Sequence, residues 1–166
     1  MRICVALWEV MDRAKINTLL NDLKNSDETV RARATGDLWR IWFSQKGVYG
    51  LGLLERAQAL LDAGRVDEAE AKLSETIDDL PDFAEAWNRR AVLYYMQKQY
   101  DQAILDCQRA IELNSAHFGA LHGLGLCYAR RGQYRDAILA FQRALEIQPY
   151  ALINQRLILE CTAQLS

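Results

Sequence analysis

Along most of the chain, apolar residues recur at spacings of three and four with polar residues between them, as at Ile104, Cys107 and Ile111. That period belongs to an α-helix with one face turned inward, and it predicts a series of amphipathic helices. The series is punctuated: Pro81 and Pro149 each end a helix and turn the chain toward the next. Upstream, the pattern predicts one helix near Arg13 to Lys24, broken at Asn25 and Ser26. A second then runs to about Gln45. Ser26 or Asp27 can cap this second helix, with Glu28 in its first turn, and Gly47 and Gly50 form the joint beyond it.

Two of these blocks carry more apolar surface than a simple stripe. Residues 38–46 read LWRIWFSQK. At about 100° per residue, Leu38, Trp39, Ile41, Trp42 and Phe43 cover an arc of roughly 200°, with Arg40 and Ser44 opposite. A helix with a single neighbour needs an arc of only about 100°. The aromatic helix must therefore touch two surfaces or leave one open. The nearest uncovered apolar residues in sequence are Leu51, Leu53, Leu54, Leu60 and Leu61, and the expectation is that Leu38, Ile41 and Trp42 cap them. Trp39 and Phe43 are left for a partner or for the preceding helix. At the other end, residues 152–165 form a further amphipathic helix. Leu152, Ile153, Leu157, Leu159 and Cys161 are expected to pack one side, with Gln155, Arg156, Glu160 and Gln164 facing water.

The blocks between these two repeat. WNRRAVLYYMQKQYDQAILDCQRAIELN (87–114) aligns with LHGLGLCYARRGQYRDAILAFQRALEIQ (121–148) at a constant offset of 34. Tyr94 falls on Tyr128, Tyr100 on Tyr134, Ala103 on Ala137, and Ala110 on Ala144. One period further back, Ala69 matches Ala103, and Gly64 lies two periods before Gly132. The small residues Ala57, Ala91 and Gly125, with Ala69, Ala103 and Ala137, stand where paired helices must approach closely, and Tyr94 and Tyr128 fill the gaps between helices. This pattern resembles the tetratricopeptide repeat, a helix–turn–helix unit of 34 residues. Residues 118–151 carry it most completely, with Leu121, Leu124, Gly125, Tyr128, Ala137, Phe141, Ala144 and Pro149.

The resemblance implies an all-α, right-handed superhelical solenoid, because one helix pair cannot bury its face alone and units must stack. Its expected parts are an N-terminal helical extension or cap (1–49), three units (50–83, 84–117 and 118–151) and a C-terminal capping helix (152–166). Arg56 and Arg90 depart from the family's usual leucine. They either snorkel from a partly covered face or bind an acidic partner.

The resemblance also implies a function. In this family the first helix of each unit lines a concave groove that holds a segment of another protein. The groove positions fall on Leu51, Leu54, Gln58 and Leu61, then Glu85, Asn88, Val92, Tyr95 and Met96, then Gly119, His122, Leu126, Ala129 and Arg130. The partner-binding set carried forward is Leu54, Gln58, Asn88, Val92, Tyr95, Met96, His122, Leu126 and Arg130. Such a surface, apolar with few charges, suits an amphipathic helix or an apolar peptide. Members that hold acidic chaperone tails use a clamp of Lys, Asn and Arg. The clamp positions here are Leu54, Gln58, Arg89, Gly119 and Gly123, of which only Arg89 is basic, so a chaperone C-terminal tail is disfavoured.

Composition narrows the remaining classes. Two prolines and nine glycines in 166 residues favour long helices over a sheet with many turns. A net charge of −2 argues against a nucleic-acid binder. The opening MRICVALWEVM is too short an apolar run, broken at Glu9, for a leader or a membrane span, and reads as a short helix or a frayed terminus. Cys4, Cys107, Cys127 and Cys161 lack metal or redox spacing and read as reduced core residues of a cytoplasmic protein.

Catalytic constellations are absent. His117 and His122 fall on opposite faces of one helix region without further metal ligands, so no zinc site is expected. The glycines of His122-Gly-Leu-Gly125 follow no strand that would make them a phosphate loop. The sequence thus points to a non-enzymatic interaction module with no catalytic residues, metal or cofactor. It would be an adaptor or assembly factor that grips a peptide or helix of another protein. The alternative is a self-associating module whose contact is the aromatic helix or an end of the array.

Overall fold

A computed structural model describes residues 13–166, so the opening segment and Cys4 lie outside the described residues. Within them, nine helices and no strands make an all-α solenoid. They are α1 (13–22), α2 (Glu28–Phe43), α3 (Gly47–Asp62), α4 (Val66–Asp79), α5 (Ala84–Met96), α6 (Tyr100–Leu113), α7 (Phe118–Arg130), α8 (Tyr134–Ile147) and α9 (Leu152–Ala163). The pairs α3–α4, α5–α6 and α7–α8 stack in order. Their ends keep the 34-residue register throughout: α4, α6 and α8 begin at Val66, Tyr100 and Tyr134. The exception is α3, which begins three residues earlier than the expected joint at Gly50. Asp27, not Ser26, caps α2 by accepting the Thr29 N–H at 2.8 Å.

The close approaches read from the sequence are real. Ala69, Ala103, Ala137 and Ala144 are wholly buried, and a Cβ added to Gly125 would stand 2.4 Å from the Phe141 ring. Each intra-pair turn contains one left-handed residue, at Gly64 (φ 72), Lys98 (φ 62) and Gly132 (φ 73). The middle unit therefore places a lysine where glycine carries no steric cost.

The two arginines part company. Arg90 grips Asp106 through two hydrogen bonds, at 2.7 and 3.0 Å, and donates to Ser74 of the previous unit. Its role is an ion pair within the second unit with a hydrogen bond to the first, neither a snorkelling chain nor a partner contact. Burial pushes the Asp106 carboxyl up from its ordinary value, and the Arg90 guanidinium opposes that shift. Arg56, at the start of the array, is exposed.

The N-terminal hairpin does not cap the first unit. Leu38 and Trp42 are buried with Leu19, Leu23 and Ala34 against Phe118 of the third unit, with Ile147 at the edge of the same cluster. Along its length α2 meets the turns between units: Trp42 stacks on His117, Thr35 accepts a hydrogen bond from Gln148, and Arg31 lies over Tyr150. Lys46, just after α2, pairs with Asp82. The helix is a strap along one edge of the whole array. Its 200° arc is met by two surfaces as expected, but these are α1 and the inter-unit turns. Leu54 packs in one core cluster with Leu73, Ile77 and Phe83. Phe43, expected to meet a partner or the preceding helix, is the aromatic residue of α2 that joins that cluster.

The last helix packs Leu157 and Cys161 inward as expected, but not the rest of its apolar set. Its buried residues are Asn154 and Cys161, whereas Leu152 and Leu159 are 73% and 70% exposed. Asn154 is drawn inward because its Oδ1 accepts from His122 Nδ1 at 2.6 Å, a bond that offsets the burial of its amide.

Candidate binding groove

The groove is the face on which α5 and α7 lie side by side. Gly119 and Gly123, one helical turn apart on α7, leave a slot opposite Ala91 of α5. Cys107 of α6 lies beneath, its Sγ 3.4 Å from where a Gly123 Cβ would stand. The slot has a volume of about 150 Å³. Asn88, Val92, Tyr95, His122 and Leu126 complete its walls. Five of the nine sequence-predicted residues thus converge on one cavity.

The other four do not line it. Leu54 is a core residue, 4% exposed. Gln58 donates to Asp62 and accepts from Arg89, bridging α3 to α5. Met96 is exposed beyond the slot, and Arg130 donates to the Tyr95 hydroxyl at 3.1 Å, fixing the ring on the slot's rim. That hydrogen bond holds the Arg130 guanidinium above its ordinary value.

Below the slot, toward the N-terminal ends of α5 and α7, the groove is already filled. The edge of Trp39 lies where a Gly119 side chain would be, 2.5 Å from its ideal Cβ position. Phe43 lies under the Arg89 guanidinium, 4.6 Å from it. Glu85, a groove position by family pattern, is buried here. It accepts from Arg89 Nε at 2.9 Å and from His117 Nε2 at 3.0 Å. His117 Nδ1 accepts the Ala120 N–H, so the imidazole is the Nε2–H tautomer that donates to Glu85. Trp42 then closes this network, its ring centroid 4.6 Å from that of His117.

Glu85, His117, Trp39 and Phe43 therefore shape the lower groove. Only Glu85 stood among the positions read from sequence. The surplus arc of α2 was the available signal for the two aromatic residues.

The floor of the slot is a thiol pair. The neighbouring Cys127 thiol, with burial, raises the Cys107 thiol well above its ordinary value, while the Cys107 thiol lowers that of Cys127. Both are buried free thiols. Among the described residues, no group of three His, Cys, Asp or Glu side chains is placed to hold a metal ion. No described helix is long and apolar enough to cross a membrane.

Residues 84–117 and 119–150, the second and third helix pairs, each match the family described as tetratricopeptide repeat. These two helix pairs are tetratricopeptide repeats. A tetratricopeptide-repeat-containing protein of Rhizobium etli is 28% identical over 121 residues, 72% of this chain and 59% of its own length. The chain thus spans less than two thirds of that relative. Among solved structures, the first repeat domain of Spaghetti (RPAP3) bound to an HSP90 peptide superposes with a TM-score of 0.67 at 23% identity, covering 69% of this chain and 91% of that one. The TPR2B domain of yeast Sti1, in complex with an Hsp70 peptide, gives 0.61 at 19% identity, covering 68% of this chain and 98% of that one. These likenesses place the repeat protein in the same fold as both domains.

Proposed function

We propose that this repeat protein is a non-enzymatic adaptor that holds a segment of another protein in the upper half of its groove, anchored by one bulky apolar side chain in the slot. The supporting observation is an empty apolar slot beside exposed Val92 (48%) and Met96 (70%), on a face whose other half is covered by the chain's own aromatic residues. A slot of about 150 Å³ suits a single Leu, Met or Phe side chain. Asn88 Oδ1 and His122 Nε2, the polar atoms left after the Asn88–Glu85 and His122–Asn154 hydrogen bonds, stand at its walls to meet the main chain of an extended or helical segment. The free thiols suit a reducing compartment, and the reading is of a cytoplasmic protein.

The same geometry supports the reading that an acidic chaperone tail is not the occupant. Of the five clamp positions, Leu54 is buried in the core and Gln58 is held by Asp62 and Arg89. Arg89 is neutralised by Glu85, Gly119 is covered by Trp39, and Gly123 bears no side chain. A tail carboxylate would meet no free cation there.

A random-peptide display selection on the purified protein tests the reading, repeated on Gly123→Leu, which fills the slot, and Val92→Glu, which charges its rim. The expected outcome is a peptide set sharing one large apolar residue and lost on both variants. Titration with the acidic peptide SRMEEVD, the HSP90 peptide of the Spaghetti complex, is expected to give no binding. Enrichment of acidic-tailed peptides, or of peptides indifferent to both substitutions, contradicts the proposal.

A further inference from the structure

The outer face of α9 repeats a seam that no other described residue covers. Leu152, Arg156, Leu159 and Ala163 are all exposed, at spacings of four, three and four. At about 100° per residue they fall within an arc of roughly 60°, opposite the buried side with Asn154 and Cys161. Spacings of this kind make the contact line of paired helices.

The seam reads the same in both directions. A two-fold axis passing between positions 157 and 158 places Leu152 opposite Ala163 of a second copy and Arg156 opposite Leu159 of that copy. A large residue meets a small one at each end, which lets the helices approach. At the centre, each leucine meets the methylene stem of an arginine. The charges follow the same symmetry. Among the residues of α9 the ionisable charges are Arg156 and Glu160, which form an i,i+4 pair at 3.3 Å with both side chains more than half exposed. In the antiparallel arrangement, each Arg156 stands one residue from the level of the opposite Glu160. A parallel pair would set Arg156 against Arg156 and Glu160 against Glu160. The complementarity therefore selects a second copy in antiparallel orientation.

We infer that the protein self-associates as an antiparallel dimer through α9, with Leu159 at its centre, Leu152 against Ala163 at each end and reciprocal Arg156–Glu160 pairs on its rim. The contact is small. A helix of 12 residues is about 18 Å long, and with Tyr150, Ile153 and Leu165 at its ends it buries less than the ~800 Å² per partner of a standard interface. The dimer is consequently weak and concentration-dependent, with dissociation in the micromolar range or above. It leaves the α5–α7 groove of each copy free, so it stands independently of the peptide-binding proposal.

Sedimentation equilibrium on the full chain, from about 1 to 500 µM, reads the association directly. Leu159→Glu is expected to weaken it by at least ~30-fold, because it buries a charge at the centre of the seam. Arg156→Glu alone and Glu160→Arg alone are each expected to weaken it by ~5- to 10-fold through like-charge opposition, and the double exchange is expected to restore it to within ~3-fold. These side chains are exposed in the monomer, and circular dichroism is the check that each variant remains folded. A wild type that stays monomeric at 500 µM overturns the inference. So does a dimer indifferent to Leu159→Glu, or single charge reversals that the double exchange does not rescue.

Discussion

Helices α2 and α9 flank the same three helix pairs, and each carries more apolar surface than one neighbour can cover. In α2 the surplus is absorbed. Leu38 and Trp42 are buried between α1 and the third unit, while Trp39 and Phe43 fill the lower groove. In α9 it is not: the buried side goes to Asn154 and Cys161, and Leu152 and Leu159 stay in water. The difference lies in what each helix is attached to. α2 comes with α1 as a hairpin and folds back along the array, so it has both an array edge and its own partner to pack against. α9 starts one full period after α7 and packs as the first helix of a unit would, against α8, with no second helix of its own among the described residues. An excess of apolar residues thus states how many surfaces a helix requires, and chain connectivity decides whether the molecule itself supplies them.

The sharpest way to break this comparison is to truncate one apolar residue on each helix. Trp42→Ala is expected to cost about 3 to 5 kcal/mol, as a fully buried aromatic does. Leu159→Ala, measured where the chain is monomeric, is expected to stay within about 0.5 kcal/mol of wild type. Urea midpoints at constant slope read both. A tolerant Trp42 would mean that the strap is loosely held.

The same contrast can be drawn within α7, between glycines two residues apart. Gly125→Ala is expected to destabilise by about 1 to 3 kcal/mol, since its Cβ would enter the Phe141 ring. Gly123→Ala faces only the Cys107 sulfur at 3.4 Å and is expected to stabilise the helix by about 0.5 to 1 kcal/mol. Equal effects at the two positions would contradict the slot geometry. Smallest of all, Lys98→Gly is expected to gain about 0.5 kcal/mol. Relief of a left-handed lysine, about 1 to 2 kcal/mol, outweighs the added chain entropy of glycine, about 0.5 to 1 kcal/mol. Thermal unfolding of that variant beside wild type checks the sign.

The repeat was legible because its signals are local and recur. A period of 34 residues and small residues at fixed places set the helix ends from Asp62 onward and the buried alanines. Lys98 escaped notice because nothing in its chemistry announces a left-handed turn. Only its register with Gly64 and Gly132 does.

The placement of α2 was not legible for a different reason. Amphipathicity reports the width of an apolar face and is silent on its neighbour, and nearness in sequence to Leu51 and Leu53 was a poor guide to nearness in space. In α9 the inward assignment holds for Leu157 and Cys161 and fails for Leu152 and Leu159. The buried Asn154 is explained only by His122, a full repeat away. In the groove, residue type alone could not separate Asn88, which lines the slot, from Gln58, which is spent in holding Arg89.

The central claim is that the chain's own α2 occupies the lower groove and leaves the upper slot open. A nuclear Overhauser measurement on the unmodified protein tests it most directly, at the contact between the Trp39 ring and Gly119. The account predicts strong cross-peaks from the Trp39 ring to the Gly119 α-protons and to Phe118, with the Gly119 α-protons shifted upfield by the indole. Trp39 cross-peaks to Leu51 or Leu53 of the first unit, with none to Gly119, would contradict it.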